Sequence, residues 1–299
     1  MFNFVGKRLW FFVLPAVIVV CGVVFFIVMG PPLGIDFTGG TMMGVKFDKP
    51  ITQSLLEEKL ADLGHSEAVI QSTGDNTFLI RTKELGEEER SKVTNSLEKL
   101  GMTGEPGFDL VSDPTAREKA RGAAIAVVVA AIGILLYISW AFRKLPKPLR
   151  YGTCAIIALV HDVLIVAAVF AILGKYLNLE INLMFITGLL TVIGYSVNDT
   201  IVVFDRIREN LSKGTRQSFE MVVNNSLVET LSRSLNTSLT TLIVLVAIYL
   251  FVGIAIRSFI LVLIVGVISG TYSSIFIASQ LLVVWETGKV RASQIKSVI

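Results

Sequence analysis

The chain has 299 residues, 53% of them hydrophobic and 17% charged, with a mean hydropathy of +0.70. Soluble domains carry about 25% charged residues, so this composition excludes an ordinary soluble globular protein and points to the membrane. The net charge of +3 conceals a split: residues 31–120 hold 10 Lys and Arg against 16 Asp and Glu, and the remainder holds 17 against 8. The basic balance outside 31–120 is that of Lys and Arg at the cytoplasmic ends of spans and needs no nucleic acid.

Leu9 to Met29 is a charge-free apolar run preceded by Lys7 and Arg8, long enough to span a hydrocarbon core. It exceeds a signal-peptide h-region, and Met29-Gly30-Pro31-Pro32 offers no small-residue cleavage site, so the pattern predicts an uncleaved first span with a cytoplasmic N-terminus. Gly34-Ile35-Asp36-Phe37-Thr38-Gly39-Gly40 follows paired prolines. This is the signature of a fixed, non-helical backbone, and we read Gly34, Asp36, Phe37, Gly39 and Gly40 as a structural joint. No G-x-x-x-x-G-K-[ST] occurs there, which argues against a phosphate loop.

Residues 33–120 read as one soluble α+β domain. Strand patterns cover Met42–Phe47, Ala68–Ile70, Thr77–Ile80 and Phe108–Val111, and amphipathic helices cover Ile51–Leu63 and Glu87–Leu100. The order β-α-β-β-α-β is that of the ferredoxin-like split βαβ motif. Five more apolar segments follow, at about 123–142, 152–173, 181–204, 236–256 and 259–285, with a long connection over 205–235. The expected class is therefore an α-helical polytopic membrane protein. It has six transmembrane helices (9–29, then five within 123–285), one extracytoplasmic ferredoxin-like domain at 33–120 and a cytoplasmic tail at 286–299.

Basic residues set the orientation. Lys7, Arg8, Arg143, Lys144, Lys147, Arg150, Arg206, Arg208, Lys213, Arg216, Lys289, Arg291 and Lys296 fall on the side assigned to the cytoplasm, together with both termini. Lys175 and Arg257 fall in short outer loops, and Arg117, Lys119 and Arg121 disagree with the rule but follow a long translocated domain. Cys21 and Cys154 sit in apolar segments as small buried hydrophobes, and His65 and His161 have no metal-ligand spacing. No cofactor or metal is expected.

The chemistry concentrates in the fourth apolar segment. Asp199 lies about four turns along it, where a carboxyl group costs roughly 2.5–3.5 kcal/mol on insertion scales. Its functional reading is a group that takes up and releases a proton; its structural reading is an ion pair or packing hydrogen bond. Arg233, which continues the fifth helix back toward Glu229, shares one helical face with Asn236, Thr237, Thr240 and Thr241 and is the matching cation. Its rival role is to snorkel at the interface. Asn198 and Thr200 flank the acid as polar relay or interface positions. Asp162, beside His161 in the third segment, is a second buried acid. It extends the relay or only bonds a neighbouring helix. Gly188 and Gly194 allow close helix approach, and Gly266-x-x-x-Gly270 is a packing pattern. Ser269, Thr271, Tyr272, Ser273 and Ser274 mark the last span as interior-facing.

The stretches Gly34–Gly40, Val160-His161-Asp162-Val163, Gly194–Glu209 and Ser232–Ser238 together resemble the SecF proteins of the SecD/SecF family, protein-export members of the resistance-nodulation-division superfamily. The similarity runs over essentially the whole chain. It implies an accessory, non-enzymatic subunit of the Sec translocase in the cell inner membrane, working with SecD and the SecYEG channel on a translocating preprotein. It also implies proton motive force as the energy source, with Asp199, Arg233 and Asp162 as proton-pathway positions. Membrane lipids surround such a protein. Two other readings stand beside it: a proton-driven small-molecule or lipid exporter of the same superfamily, and an intramembrane aspartyl protease with Asp162 and Asp199 as its dyad.

Overall fold

The computed structural model describes residues 4–177, 179–214, 217–252 and 254–288. Arg216, Lys289, Arg291, Lys296 and most of the tail lie outside them. The chain forms two compact units: Leu33–Ala124 with Glu180–Leu183, and the remainder.

The first unit holds α2 (Ile35–Thr38), β1 (Gly40–Phe47), α3 (Gln53–Asp62), β2 (Val69–Gly74), β3 (Thr77–Thr82), α4 (Glu87–Lys99) and β4 (Met102–Val111). The strands form one antiparallel sheet in the order β2-β3-β1-β4, the ferredoxin-like arrangement. Alternation decides which face is buried: Met43, Val45 and Phe47 of β1 and Phe78 and Ile80 of β3 point to one side. There they meet Leu56 and Leu60 of α3 and Val93 and Leu97 of α4. The β2–β3 turn carries positive φ at Gly74, Asp75 and Asn76, as a tight hairpin requires.

Two expectations are corrected here. The last strand begins at Met102, not Phe108. Gly104, Pro106 and Gly107 interrupt its pattern, because the register against β1 shifts between Gly44 and Lys46. The glycine-rich joint is not wholly non-helical: Ile35–Thr38 makes one α-turn between Gly34 and Gly39.

The second unit contains the long helices. These are α1 (Arg8–Met29), α5 (Asp113–Ala141, which starts in the first unit), α6 (Pro148–Leu177), α7 (Leu183–Ser212), α8 (Phe219–Phe251), α9 (Ile254–Ser273) and α10 (Ser279–Thr287). A π-helical turn, Ser274–Ala278, joins the last two, so that among the described residues six spans are long and apolar enough to cross a membrane. The expected long connection at 205–235 is absent. Both flanking helices extend past the apolar runs, leaving only residues 213–218 between them, because charged residues on the helical extensions hide their apolar stripe from a hydropathy reading. Arg206 bonds Glu229 at 2.6 Å and Glu209 at 2.5 Å, and Asn210 Nδ2 donates to Glu229 Oε2 at 2.9 Å, tying the two extensions together.

Close packing rests on glycine. A Cβ on Gly22 would meet Ala168 of α6 at 2.1 Å, and one on Gly266 would meet Val192 of α7 at 2.1 Å. Gly270 meets Ser196 and Gly188 meets Val262 in the same way. Gly194, expected to act likewise, has no such neighbour among the described residues: the face it lies on is exposed. Arg8, expected only as a membrane-edge charge, is fully buried and bonds Glu220 of α8 at 3.0 Å. Asn224 Oδ1 accepts the backbone N–H of Phe4 at 2.9 Å, so the start of the chain is clasped to the base of α8.

Candidate functional site

The two buried acids have different surroundings. Asp162, at mid-height on α6, is 1% exposed. Its Oδ2 accepts the hydroxyls of Ser196 (α7) at 2.6 Å and Ser273 (α9) at 2.8 Å. Its Oδ1 accepts Ser269 (α9) at 2.7 Å and lies 3.1 Å from His161 Nδ1. Ser269 and Ser273 are four residues apart on one helical face, and Gly270 between them lets α7 approach closely enough to deliver Ser196. Three hydroxyls aimed at one carboxyl group fill its acceptor sites. The imidazole lies 6.4 Å from the Tyr272 ring, nearly parallel to it, and its Nε2 is buried with no hydrogen-bond partner among the described residues.

Asp199, on α7, is 4% exposed, and its Oδ2 has no hydrogen-bond partner among the described residues. An open carboxyl oxygen at such a place calls for a proton, a water or a cation. Arg233 on α8 is close enough for its charge to act on this group, and no ion pair within contact distance joins the two among the described residues. A separate hydroxyl chain runs between the helices nearby: Tyr195 OH donates to Ser238 Oγ at 3.4 Å, and Ser238 Oγ lies 2.5 Å from Thr271 Oγ1. No hydrogen bond joins Asp162 to Asp199 among the described residues, which leaves the protease dyad without its shared proton.

The relay positions read from the sequence divide. Thr200 is buried, but its hydroxyl donates back to Ser196 O at 3.2 Å. Thr237 donates to Arg233 O at 2.9 Å, and Thr240 to Asn236 O at 3.0 Å. These threonines satisfy themselves on their own helices and do not reach Asp199. Arg233, Asn236, Thr237 and Thr240 lie on an exposed face of α8, between the exposed Leu235 and Leu239, and Asn198 is exposed on α7. Sequence reasoning missed Ser196, Ser269 and Ser273 as partners of Asp162. The i, i+4 serine pair in an apolar span was the available signal.

The glycine-rich loop makes a second constellation. Asp36 Oδ1 accepts Lys119 Nζ of α5 at 2.7 Å, and Oδ2 accepts the N–H of Leu183, the first residue of α7, at 3.1 Å. Gly34 N–H donates to Ile181 O at 2.9 Å, Leu33 bridges Ile181, and Arg81 of β3 pairs with Glu180. Burial pushes the Arg81 guanidinium down to about 10, which leaves it charged at neutral pH. Gly40 is required by space, Gly39 and Gly40 by backbone conformation, and Gly34 is tightly packed. A Cβ on Gly39 would meet Asp113 Oδ1 at 2.4 Å, one on Gly40 would meet Thr82 O at 2.4 Å, and one on Gly34 would meet Glu180 Oε2 at 3.0 Å. Gly39 and Gly40 also have φ of +72° and +126°. Phe37 is half-buried in the α-turn. Lys119, at odds with the charge rule, has a specific task as the Asp36 partner.

Comparison with known proteins places these features in context. Residues 92–288 match the family described as protein export membrane protein SecD/SecF, C-terminal, and residues 24–51 match the SecD/SecF GG motif. The chain is 45% identical to the protein translocase subunit SecF of Thermobaculum terrenum, over 96% of this chain and 94% of that one. It is 41% identical to the SecF subunit of Anaerolinea thermophila, over 97% and 96%. Among solved structures it is similar to SecDF from Thermus thermophilus, described as a translocon-associated membrane protein, with a TM-score of 0.85 and 35% identity over 96% of this chain. The chain spans 39% of that longer protein.

Proposed function

Because the chain belongs to the SecD/SecF family of protein-export membrane proteins, we propose that it is a SecF-type accessory subunit of the Sec translocase that uses proton motive force, together with SecD, to complete preprotein translocation. The observation that carries this reading is Asp199: a buried intramembrane carboxyl group with one oxygen open and a cation within electrostatic reach. Intramembrane acids mark ion pathways, and one whose hydrogen bonds are incomplete can gain or lose a proton without dismantling its surroundings.

The exposed side of α8 supports a membrane partner. A guanidinium among lipid-facing leucines costs roughly 2.5–3.5 kcal/mol, a cost removed when a helix of SecD covers Arg233, Asn236 and Thr240. In this reading Asp199 binds the proton, Arg233 is the switching cation, Asp162 holds the helices that frame them, and Asn198, Thr200 and Thr237 border the path. The protein sits in the cell inner membrane with both termini cytoplasmic and residues 33–120 in the periplasm. SecYEG and the emerging preprotein are its further partners, lipids cover α1 and α5, and no bound cofactor takes part. The periplasmic unit holds or pulls the chain.

The test is gradient-dependent export into vesicles containing this chain, SecD and SecYEG. Asp199→Asn and Arg233→Ala are expected to assemble and to lose at least about tenfold of the gradient-dependent component, a barrier change of roughly 1.4 kcal/mol or more. Wild-type export by both would remove the central claim. Loss of drug or lipid efflux on deletion, with export intact, would favour the exporter reading instead.

A further inference from the structure

A passive joint has only to connect, but here one side chain reaches in two directions. Asp36 takes the Lys119 ammonium on one oxygen and the first amide of α7 on the other. The first turn of a helix presents unpaired N–H groups and the positive end of its dipole, so a carboxylate placed there holds the helix end. From Leu183, α7 runs as one helix to Asp199, about 24 Å further on at 1.5 Å per residue. On its other side the loop is fixed to the sheet. Gly40 opens β1 and lies against the Thr82 carbonyl, and Arg81 of the neighbouring strand holds Glu180, in the segment that leads into α7. Gly40 leaves no room for a side chain against the Thr82 carbonyl, and Gly39 and Gly40 take backbone conformations that other residues rarely adopt. The loop is therefore held in a defined conformation between the sheet and the start of α7.

We propose that Asp36 is the coupling residue of the proton-driven cycle, a positioning group whose two-way carboxylate links α7, which carries Asp199, to the α/β unit. This rests on the proton-driven reading of Asp199 given above. The residue type suits the task. Aspartate has two acceptor oxygens on a short side chain, asparagine retains only one acceptor, alanine has none, and glutamate is longer by a methylene.

The experiment uses vesicles containing this chain with SecD and SecYEG, and separates gradient-dependent from gradient-independent export. Asp36→Ala and the isosteric Asp36→Asn are each measured alone. Asp36→Ala is also combined with Asn182→Asp, which puts a carboxylate at the residue preceding α7, on the helix's own segment of chain instead of at position 36 of the loop. The single variants are expected to lose about tenfold of the gradient-dependent component and none of the rest. Asn182→Asp is expected to recover the thermal stability lost with Asp36→Ala, but not the gradient-dependent export. Full recovery of that export by the double variant would mean that Asp36 only caps a helix and would overturn the proposal. So would wild-type behaviour of Asp36→Asn, which also serves as the measurement if Asp36→Ala does not assemble. Asp199→Asn is run alongside. Its loss of gradient-dependent export beside normal Asp36 variants would overturn the coupling role alone, whereas its own normal export would overturn the proton-driven reading and the coupling with it.

Discussion

Two carboxyl groups on neighbouring helices of the same unit have opposite surroundings. Around Asp162, α6, α7 and α9 converge, three serine hydroxyls point inward, and a histidine closes the ring. Around Asp199 the protein supplies burial but leaves an oxygen open, and the nearby cation acts through space. A saturated acid is a fastening, because moving it breaks several hydrogen bonds at once. An unsaturated one can change its charge state while the helices stay in place. Depth in the membrane, the property visible in the sequence, does not distinguish the two; hydrogen-bond completeness does.

That contrast can be broken by substitution. Asp162→Ala leaves three hydroxyl donors facing an apolar gap and is expected to cost roughly 3 kcal/mol at about 1 kcal/mol per orphaned group. Asp199→Asn is expected to cost under about 1 kcal/mol. Thermal unfolding of the two variants in detergent checks this, and equal losses would erase the distinction. A smaller effect is expected where the serine ring is held together. Gly266→Ala places a methyl group 2.1 Å from the Val192 side chain, forcing α7 and α9 apart at a cost of about 1–3 kcal/mol. The distance between spin labels on the two helices should increase, and an unchanged distance would show that Val192 yields instead. Least of all, Thr237→Val removes a hydroxyl that only bonds its own helix, and its stability should stay within about 0.5 kcal/mol of the parent. A larger loss in the presence of SecD than in its absence would place Thr237 in the interface.

Much of the architecture was legible because it rests on local periodicity. The β-α-β-β-α-β order follows from alternation and amphipathic stripes, and the six spans follow from apolar length. The start of β4 was not legible, since a bulge at Gly104–Pro106 disrupts the alternation on which the reading depends. Nor were the polar extensions of α7 and α8, where Arg206 pairs with both Glu209 and Glu229. Asp199 stood out because a buried acid is unusual in its setting, whereas Asp36 was legible only as part of a glycine-rich joint. Their partners were tertiary facts. Ser269 and Ser273 lie over a hundred residues from Asp162, and Leu183 lies 147 residues from Asp36, separations at which no local pattern carries information.

The π-turn at Ser274–Ala278 gives the last span two angular settings. A wider turn acts like a single inserted residue and rotates everything beyond it by about 100° relative to an uninterrupted helix. Ser269 and Ser273 are aimed before that phase change; Ser279 and Gln280, both fully buried, are aimed after it. Deleting one residue within the turn would close it to an ordinary α-helix and leave Gln280 facing as it does, whereas closing the turn at unchanged length would send Gln280 and its neighbours toward a different helix. The facing of the span's last part thus depends on the width of one turn as well as on composition.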